Sequence, residues 1–168
     1  MLISDSLVTH YTIGDTEYER NLNSDLRVNT GNLSEEFAVH AEKFAWYSTA
    51  YELALDNELK LKSKLERHYA QVDYIVREEA RQAAVKMTEK KVENSVITHP
   101  EYAAVQGDYL DAKRNSGLLK AARDAMVHRR DMLIQLGANY RAEGVSDITL
   151  KTQQYLDNKN NNNNNNNQ

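Results

Sequence analysis

Hydrophobic residues between positions 34 and 87 recur in steps of three and four, which is the period of an α-helix. Neither Gly nor Pro interrupts the chain between Ser34 and Thr98. The pattern predicts one long helix, capped by Asn32 or Ser34, with Glu35 and Glu36 placing negative charge in its first turn. The predicted apolar stripe contains Phe37, Ala41, Phe44, Tyr47, Tyr51, Leu55, Leu59, Leu65, Tyr69, Val72, Val76, Ala80, Ala83 and Met87.

A second stripe of the same period follows Pro100, which stands where a proline is favoured, at the first helical position. Gly144 is the predicted end of this helix. Two long amphipathic helices with a short connection predict an antiparallel, coiled-coil-like hairpin. Residues 88–99 are predicted to be a break, either a separate short helix or a bent continuation. The second stripe contains Tyr102, Val105, Tyr109, Ala112, Leu119, Ala122, Met126, Leu133, Leu136 and Tyr140.

The two ends of the chain have different patterns. The segment Leu7–Ile13 is rich in β-branched and aromatic residues and precedes Gly14, so it predicts a short strand. Residues 1–33 are accordingly interpreted as an extended acidic arm, with one strand or a hairpin. Residues 145–168 end in an asparagine run that cannot bury apolar area, which predicts a disordered tail. The predicted fold is all-α, with the helical hairpin confined to residues 34–144.

Composition narrows the possible functions. Charged residues make up 27% of the chain, mean hydropathy is −0.75, and there is no cysteine. Disulfides, thiolate metal sites and cysteine nucleophiles are therefore excluded, and a reducing, cytoplasmic environment is expected. No apolar run is long enough for a membrane span, and no secretory signal is visible at the N-terminus. The five histidines lack metal-ligand spacing and no phosphate-binding glycine loop exists, so we expect no metal, no cofactor and no enzymatic activity.

Charge is distributed unevenly. Residues 1–59 hold 11 acidic and 3 basic residues, whereas residues 60–91 hold 9 basic and 5 acidic ones. Residues 113–141 hold 7 basic and 2 acidic residues. Basic helix faces can neutralise phosphates, and nearby tyrosines can stack on bases, so both stretches are candidate nucleic-acid sites. The candidates are Lys60, Lys62, Lys64 and Arg67 in the first stretch and Lys113, Arg114, Lys120, Arg123 and Arg130 in the second.

Each candidate also has a simpler interpretation. Lys60, Lys64 and Arg67 share one helical face, with Lys62 on another, and such a ridge is usually the solvated flank of a coiled coil. In the second stretch, neighbouring aspartates at 124 and 131 can neutralise the arginines. An antiparallel hairpin would bring part of the two stretches together into one basic patch.

The early part of the long helix is more apolar than one partner helix requires. Wide exposed apolar strips usually mark an interface, so we expect homo-oligomerisation. The candidate interface residues are Phe37, Phe44, Trp46, Tyr47 and Tyr51.

Three segments resemble the phage recombination mediators of the UvsY type: the extended Leu26–Asn29 before a capped helix, the helix Glu36–Ser48, and the basic Leu61–Tyr69. Residues 87–93, 99–102 and 129–133 are similar to elements of related phage proteins. The resemblance implies a helical, ring-forming protein of the infected bacterial cytoplasm. Such a protein binds single-stranded DNA and loads a RecA-like recombinase onto strands covered by a single-strand-binding protein.

The resemblance places DNA contact on Lys62 and Lys64, with Lys60 and Arg67 beside them. The chain departs from the family in its length, its acidic arm, its asparagine tail and its net charge of −4. The alternative hypothesis is a structural or scaffolding coiled coil of a phage virion or its assembly pathway.

Overall fold

The computed structural model describes residues 8–165, without the side chains of 145–147, 149 and 155–165. Within residues 8–165, six elements follow one another, and four of them are helices. They are β1 (Val8–Ile13), β2 (Thr16–Asn21), α1 (Leu22–Leu26), α2 (Leu33–Gln82), α3 (Glu89–Thr98) and α4 (Pro100–Asn165).

The two long helices α2 and α4 are antiparallel. Three contacts along the pair show this: Phe37 lies beside Gly137, Glu58 accepts a hydrogen bond from Ser116, and the ring centroids of Tyr69 and Tyr102 are 5.8 Å apart. Residue numbers therefore rise along α2 as those of the contacting residues fall along α4. The predicted antiparallel hairpin is thereby confirmed. Its seam contains the predicted stripe residues Tyr47, Val105, Ala112, Leu119, Ala122, Met126 and Leu133, together with Ala50 and Ala54.

The start of α2 agrees with the prediction, but its end does not. The Asn32 side chain caps the helix by accepting the Glu35 N–H over 3.3 Å. The helix ends at Gln82, so Ala83 and Met87 lie outside it. Ala84 adopts a left-handed backbone with φ 52°, and its N–H and that of Val85 turn back to the carbonyls of Arg81 and Ala80. This is a Schellman termination formed without glycine, which is why the residue pattern did not reveal it.

Residues 89–98 form the separate helix α3, one of the two predicted alternatives. Thr88 caps it by accepting the Lys91 N–H, and α4 restarts at Pro100 as predicted. Val92 and Val96 of α3 pack with Val72 and Val76 of α2, with Met87 and Tyr102 at the edge of this cluster. The short helix therefore closes the end of the long hairpin.

The N-terminal segment folds back on the helices and is not an extended arm. Strands β1 and β2 pair antiparallel across a two-residue turn, and Gly14 supplies the positive φ of 61° that this turn requires. Tyr11 is 1% exposed and packs in a cluster with residues of α2 and α4. The fold is thus mostly helical with a small sheet. The β-hairpin covers the apolar strip of α2 that exceeds what α4 buries.

The helix α4 continues through Gly144 to Asn165, so the predicted stop is wrong. No proline lies in this stretch, and an interior glycine costs only about 1 kcal/mol relative to alanine. Tyr140 Oη donates to Thr30 O over 3.2 Å, next to the start of α2. The helix therefore extends roughly 38 Å beyond its partner, at 1.5 Å per residue. Of the predicted disordered tail, residues 166–168 lie outside the described residues.

Within residues 8–165, no helix combines the length and hydropathy that a membrane crossing demands.

Candidate nucleic-acid interface

Four cations of α4 lie along one face. Lys113, Lys120, Arg123 and Arg130 are spaced by seven, three and seven residues, which are helical repeats. At 1.5 Å per residue they span about 26 Å. The guanidinium of Arg123 lies 4.4 Å from the ring centroid of Tyr51, so this face of α4 borders α2.

Lys62 of α2 joins the same flank of the helix pair. It follows Tyr51 by eleven residues, about three turns, and therefore lies on the side of α2 where Tyr51 meets Arg123. Its level along the pair is set by the hydrogen bond between Ser116 and Glu58. Lys62 is one turn after Glu58, and Lys113 is one turn before Ser116. We call Lys62, Lys113, Lys120, Arg123 and Arg130 the basic row.

The β-hairpin lies on the opposite flank. Asn115 of α4 bonds to the main chain of Thr12, accepting its N–H over 3.1 Å and donating to its carbonyl over 2.7 Å. Asn115 is two residues from Lys113, which is about 200° around the helix. The acidic hairpin therefore leaves the basic row uncovered.

The other predicted cations of the first stretch are not part of this row. Lys60 and Lys64 are each two residues from Lys62, so they lie about 160–200° away around α2. Lys60 pairs with Asp56 at 2.6 Å and Lys64 with Asp108 at 3.9 Å. Arg67 shares the outer side of α2 with Lys60 and donates to Ser63. The predicted continuous patch thus uses only Lys62 from α2, and Arg114 points away on the outer side of α4.

Carboxylates neutralise part of the basic row, as the simpler interpretation predicted. Arg123 pairs with Asp124 at 3.0 Å, and Arg130 pairs with Asp131 at 2.8 Å. The lysines differ: in the described part of the chain, Lys62, Lys113 and Lys120 have no carboxylate partner. Lys113 instead lies 5.8 Å from the ring centroid of Tyr109. Three lysines are therefore available to an anionic ligand, and two arginines are shared with exposed aspartates.

Arg129 is a structural cation that the sequence interpretation missed. It is 2% exposed, forms an ion pair with Glu36 of α2 and donates to the Arg27 carbonyl over 3.1 Å. Its Nε and Nη1 atoms are buried without a partner among residues 8–165. The signal was present, because Arg129 lies three residues after Met126 and four before Leu133, on the buried stripe.

The predicted interface aromatics lie mostly within the chain. Tyr47 is 1% exposed and belongs to the core, so its assignment to an interface between copies is corrected. Phe44, Trp46 and Tyr51 are partly buried against the same cluster. Only Phe37, at 41% exposure, keeps a large accessible surface among the five. The β-hairpin is again the reason, because it covers the apolar strip of α2 that a second copy of the chain was expected to cover.

The residues that the structure describes contain no group of three or more His, Asp or Glu side chains arranged to hold a metal ion. No known protein family, curated protein or solved structure matches this chain.

Proposed function

We propose that the protein is a non-catalytic accessory protein that binds single-stranded nucleic acid along the basic row. The observation that carries the proposal is the position of Lys62 beside the α4 row, on the flank that the acidic hairpin leaves free. Cations from two helices then form one ridge about 26 Å long. A ridge of this kind attracts the phosphate backbone without reading its sequence.

The tyrosines along the row favour a single strand over a duplex. Tyr51 and Tyr109 lie under Arg123 and Lys113, respectively, at cation–π distances. An unpaired base can stack on the outward face of such a cation–tyrosine pair, whereas the bases of a duplex are already stacked on each other. Each contact contributes little on its own, so several protomers bound along one strand would be needed for high affinity.

The biological role that we propose is recombination mediation: loading of a RecA-like recombinase onto strands covered by a single-strand-binding protein. Its support is the likeness of residues 26–48 and 61–69 to the UvsY-type mediators, together with the exposed basic row. Homo-oligomerisation belongs to this proposal, because avidity compensates for the small number of unpaired lysines in each protomer.

The decisive experiment measures binding of a fluorescein-labelled oligothymidine by fluorescence anisotropy at low salt. The triple variant Lys62→Ala, Lys113→Ala, Lys120→Ala should weaken binding by about tenfold or more. The matched control is Lys60→Ala, Lys64→Ala, Arg67→Ala, which removes the same charge from the other sides of α2. Equal losses in the two variants would contradict the basic row, and absence of binding by the unmodified protein would end the proposal.

A structural coiled coil is the second candidate, favoured by an exposed apolar strip on the outer side of α4. Leu118 and Met132 are separated by two heptads and are 39% and 58% exposed. Such spacing suits a further helix packed on α4. Large assemblies in light scattering, together with no measurable binding of oligothymidine, would support this candidate over the first.

A further inference from the structure

One edge of the β-hairpin is occupied at Thr12, and the other is open. Ile13 and Thr16 flank the two-residue turn, so they form a hydrogen-bonded pair, as do Tyr11 and Tyr18. The main-chain groups of Thr12 therefore point outward from β1, where the Asn115 side chain occupies them. By the same alternation, the N–H and C=O groups of Glu17 and Glu19 point outward from β2. Within residues 8–165, no group bonds to them.

The strand β2 borders a groove over α2, which its Tyr18 side chain lines. A cavity of about 360 Å³ lies between the hairpin and the outer side of α2. Its Trp46 wall is held in place, because the Arg20 guanidinium lies 4.3 Å from the Trp46 ring centroid and the Tyr18 ring lies 5.9 Å from it. A strand added to β2 would run about 4.8 Å beyond it, over this groove. The groove is lined by Ile13, Tyr18, Ala45, Trp46, Thr49, Ala50 and Leu53.

The two faces of β2 differ in charge. Tyr18 and Arg20 point towards α2, so Glu17 and Glu19 point towards solvent. Neither glutamate forms an ion pair with a described residue, and Asp15 in the turn adds a third carboxylate. Side chains on the solvent face of an added strand would stand beside these glutamates, and those on its other face would enter the apolar groove. The site thus selects a strand in which basic and apolar residues alternate.

A second copy of β2 does not fit this edge. Outward-pointing residues of one strand must oppose outward-pointing residues of the other in an antiparallel pair. The central registers would place Glu19 opposite Glu19, or Glu17 opposite Glu19, and like charges directly opposite each other are destabilising.

We infer that the open edge of β2 and the groove over α2 are a docking site for an extended basic–apolar segment of a partner protein. The segment adds a strand to the sheet through the main chain of Glu17 and Glu19 and inserts alternate side chains beside Trp46 and Leu53. Main-chain hydrogen bonds provide affinity in such strand addition, and the groove provides selectivity. The site is on the flank opposite the basic row, so it does not depend on the proposed binding of single strands.

The test uses a fluorescein-labelled peptide of about six residues in which lysine and valine alternate, since strands of this length are typical. Leu53 is 51% exposed at the rim of the groove, and Leu59 is 56% exposed elsewhere on α2. We expect Leu53→Glu to weaken peptide binding in anisotropy titrations by about tenfold, whereas the matched control Leu59→Glu leaves it within about twofold. Both variants should keep the helical circular dichroism of the unmodified chain.

Two further measurements separate strand addition from charge attraction. Glu17→Lys with Glu19→Lys should abolish binding of the lysine–valine peptide. A lysine–valine peptide of the same sequence and charge, in which every main-chain amide is N-methylated, should fail to bind the unmodified protein, because it cannot donate hydrogen bonds to the open edge. Absence of saturable binding of the lysine–valine peptide, equal losses in Leu53→Glu and Leu59→Glu, or equal binding of the N-methylated peptide would each overturn the inference.

Discussion

The hydroxyl of Tyr47 on α2 donates a hydrogen bond to Asp25 Oδ2 on α1 over 2.9 Å. Lys43 Nζ lies 3.3 Å from the other carboxylate oxygen, so Asp25 is held from both sides. Burial, and then the contact with Asp25, raise the pKa of Tyr47 well above its usual value of 10.0. The phenol therefore remains a donor throughout the neutral range. This contact holds α1, the short helix that follows the β-hairpin, against α2.

Replacement of Tyr47 by phenylalanine tests that contact. Tyr47→Phe should lower the free energy of unfolding by about 1–3 kcal/mol, because a hydrogen bond to a charged acceptor is lost. Tyr51→Phe is the matched control, since the Tyr51 hydroxyl has no hydrogen-bond partner among the described residues. Urea unfolding followed by circular dichroism measures both changes. Equal effects of the two substitutions would show that the Asp25 bond contributes nothing to stability.

The ion pair between Glu36 and Arg129 should respond asymmetrically to substitution. The Arg129 side chain is 1% exposed, whereas that of Glu36 is 18% exposed. Glu36→Gln leaves a buried guanidinium without a counter-charge and should cost about 3 kcal/mol. Arg129→Met leaves a carboxylate that water can reach, and it removes the two unpartnered donors, so it should cost less. Urea midpoints in the reverse order would contradict this account of the pair.

His40 makes stability depend on pH. Burial, followed by the charges of Arg129, Arg130 and Lys43, holds the pKa of His40 below its usual value of 6.5. The unfolded chain thus takes up this proton at a higher pH than the folded chain does. Stability contributed by neutral His40 is present above pH 6.5 and is lost as the pH falls from there towards the lowered pKa.

The difference between the unmodified chain and His40→Gln isolates this effect from other titrating groups. We expect the urea midpoint of the unmodified chain to fall more steeply between about pH 7.5 and about pH 5.5 than that of the variant. Parallel curves for the two proteins would exclude His40 as the source of the pH dependence.

The left-handed Ala84 predicts a stabilising substitution. An alanine in this conformation costs roughly 1–2 kcal/mol, and glycine avoids that cost. After allowance for the larger entropy of glycine in the unfolded chain, Ala84→Gly should raise the free energy of unfolding by about 1 kcal/mol. The neighbouring Ala83 has φ −77°, so Ala83→Gly should give no gain. Thermal melting of the two variants provides the comparison, and destabilisation by Ala84→Gly would refute it.

Salt dependence gives a separate check on nucleic-acid binding. Each lysine that neutralises a phosphate of a single strand contributes about 0.7 to the slope of log K against log salt concentration. The double variant Lys113→Ala, Lys120→Ala should therefore reduce the slope by about 1.4. An unchanged slope in the double variant would contradict the assignment of these two lysines to phosphate binding.

Local signals in the sequence predicted much of the helical framework. Asn32, Thr88 and Pro100 act within three residues of their own positions, so the boundaries that they set could be identified from the sequence alone. The end of α2 could not, because the Schellman turn at Ala84 uses neither glycine nor proline. The core of α4 followed from the helical period, since Leu119, Met126 and Leu133 repeat every seven residues.

Long-range partners were not predictable from the sequence pattern. Glu36 and Arg129 are 93 residues apart, and nothing local distinguishes Arg129 from the exposed Arg130 beside it except its position on the stripe. The same limit applies to the candidate site. Lys60, Lys62 and Lys64 form one basic run in the sequence, yet the helical period and the antiparallel register place only Lys62 on the flank that carries the α4 cations.

The link between Thr12 and Asn115 joins residues 103 positions apart. On the ribosome, β1 emerges long before Asn115, the side chain that occupies its outer edge at Thr12, has been synthesised. Until that point the nascent hairpin has two open edges and an uncovered apolar face, which is the state most prone to pairing with other chains. Translation that stalls or terminates between α2 and Asn115 would therefore yield fragments that aggregate through β1, whereas release of the chain after α4 closes that route.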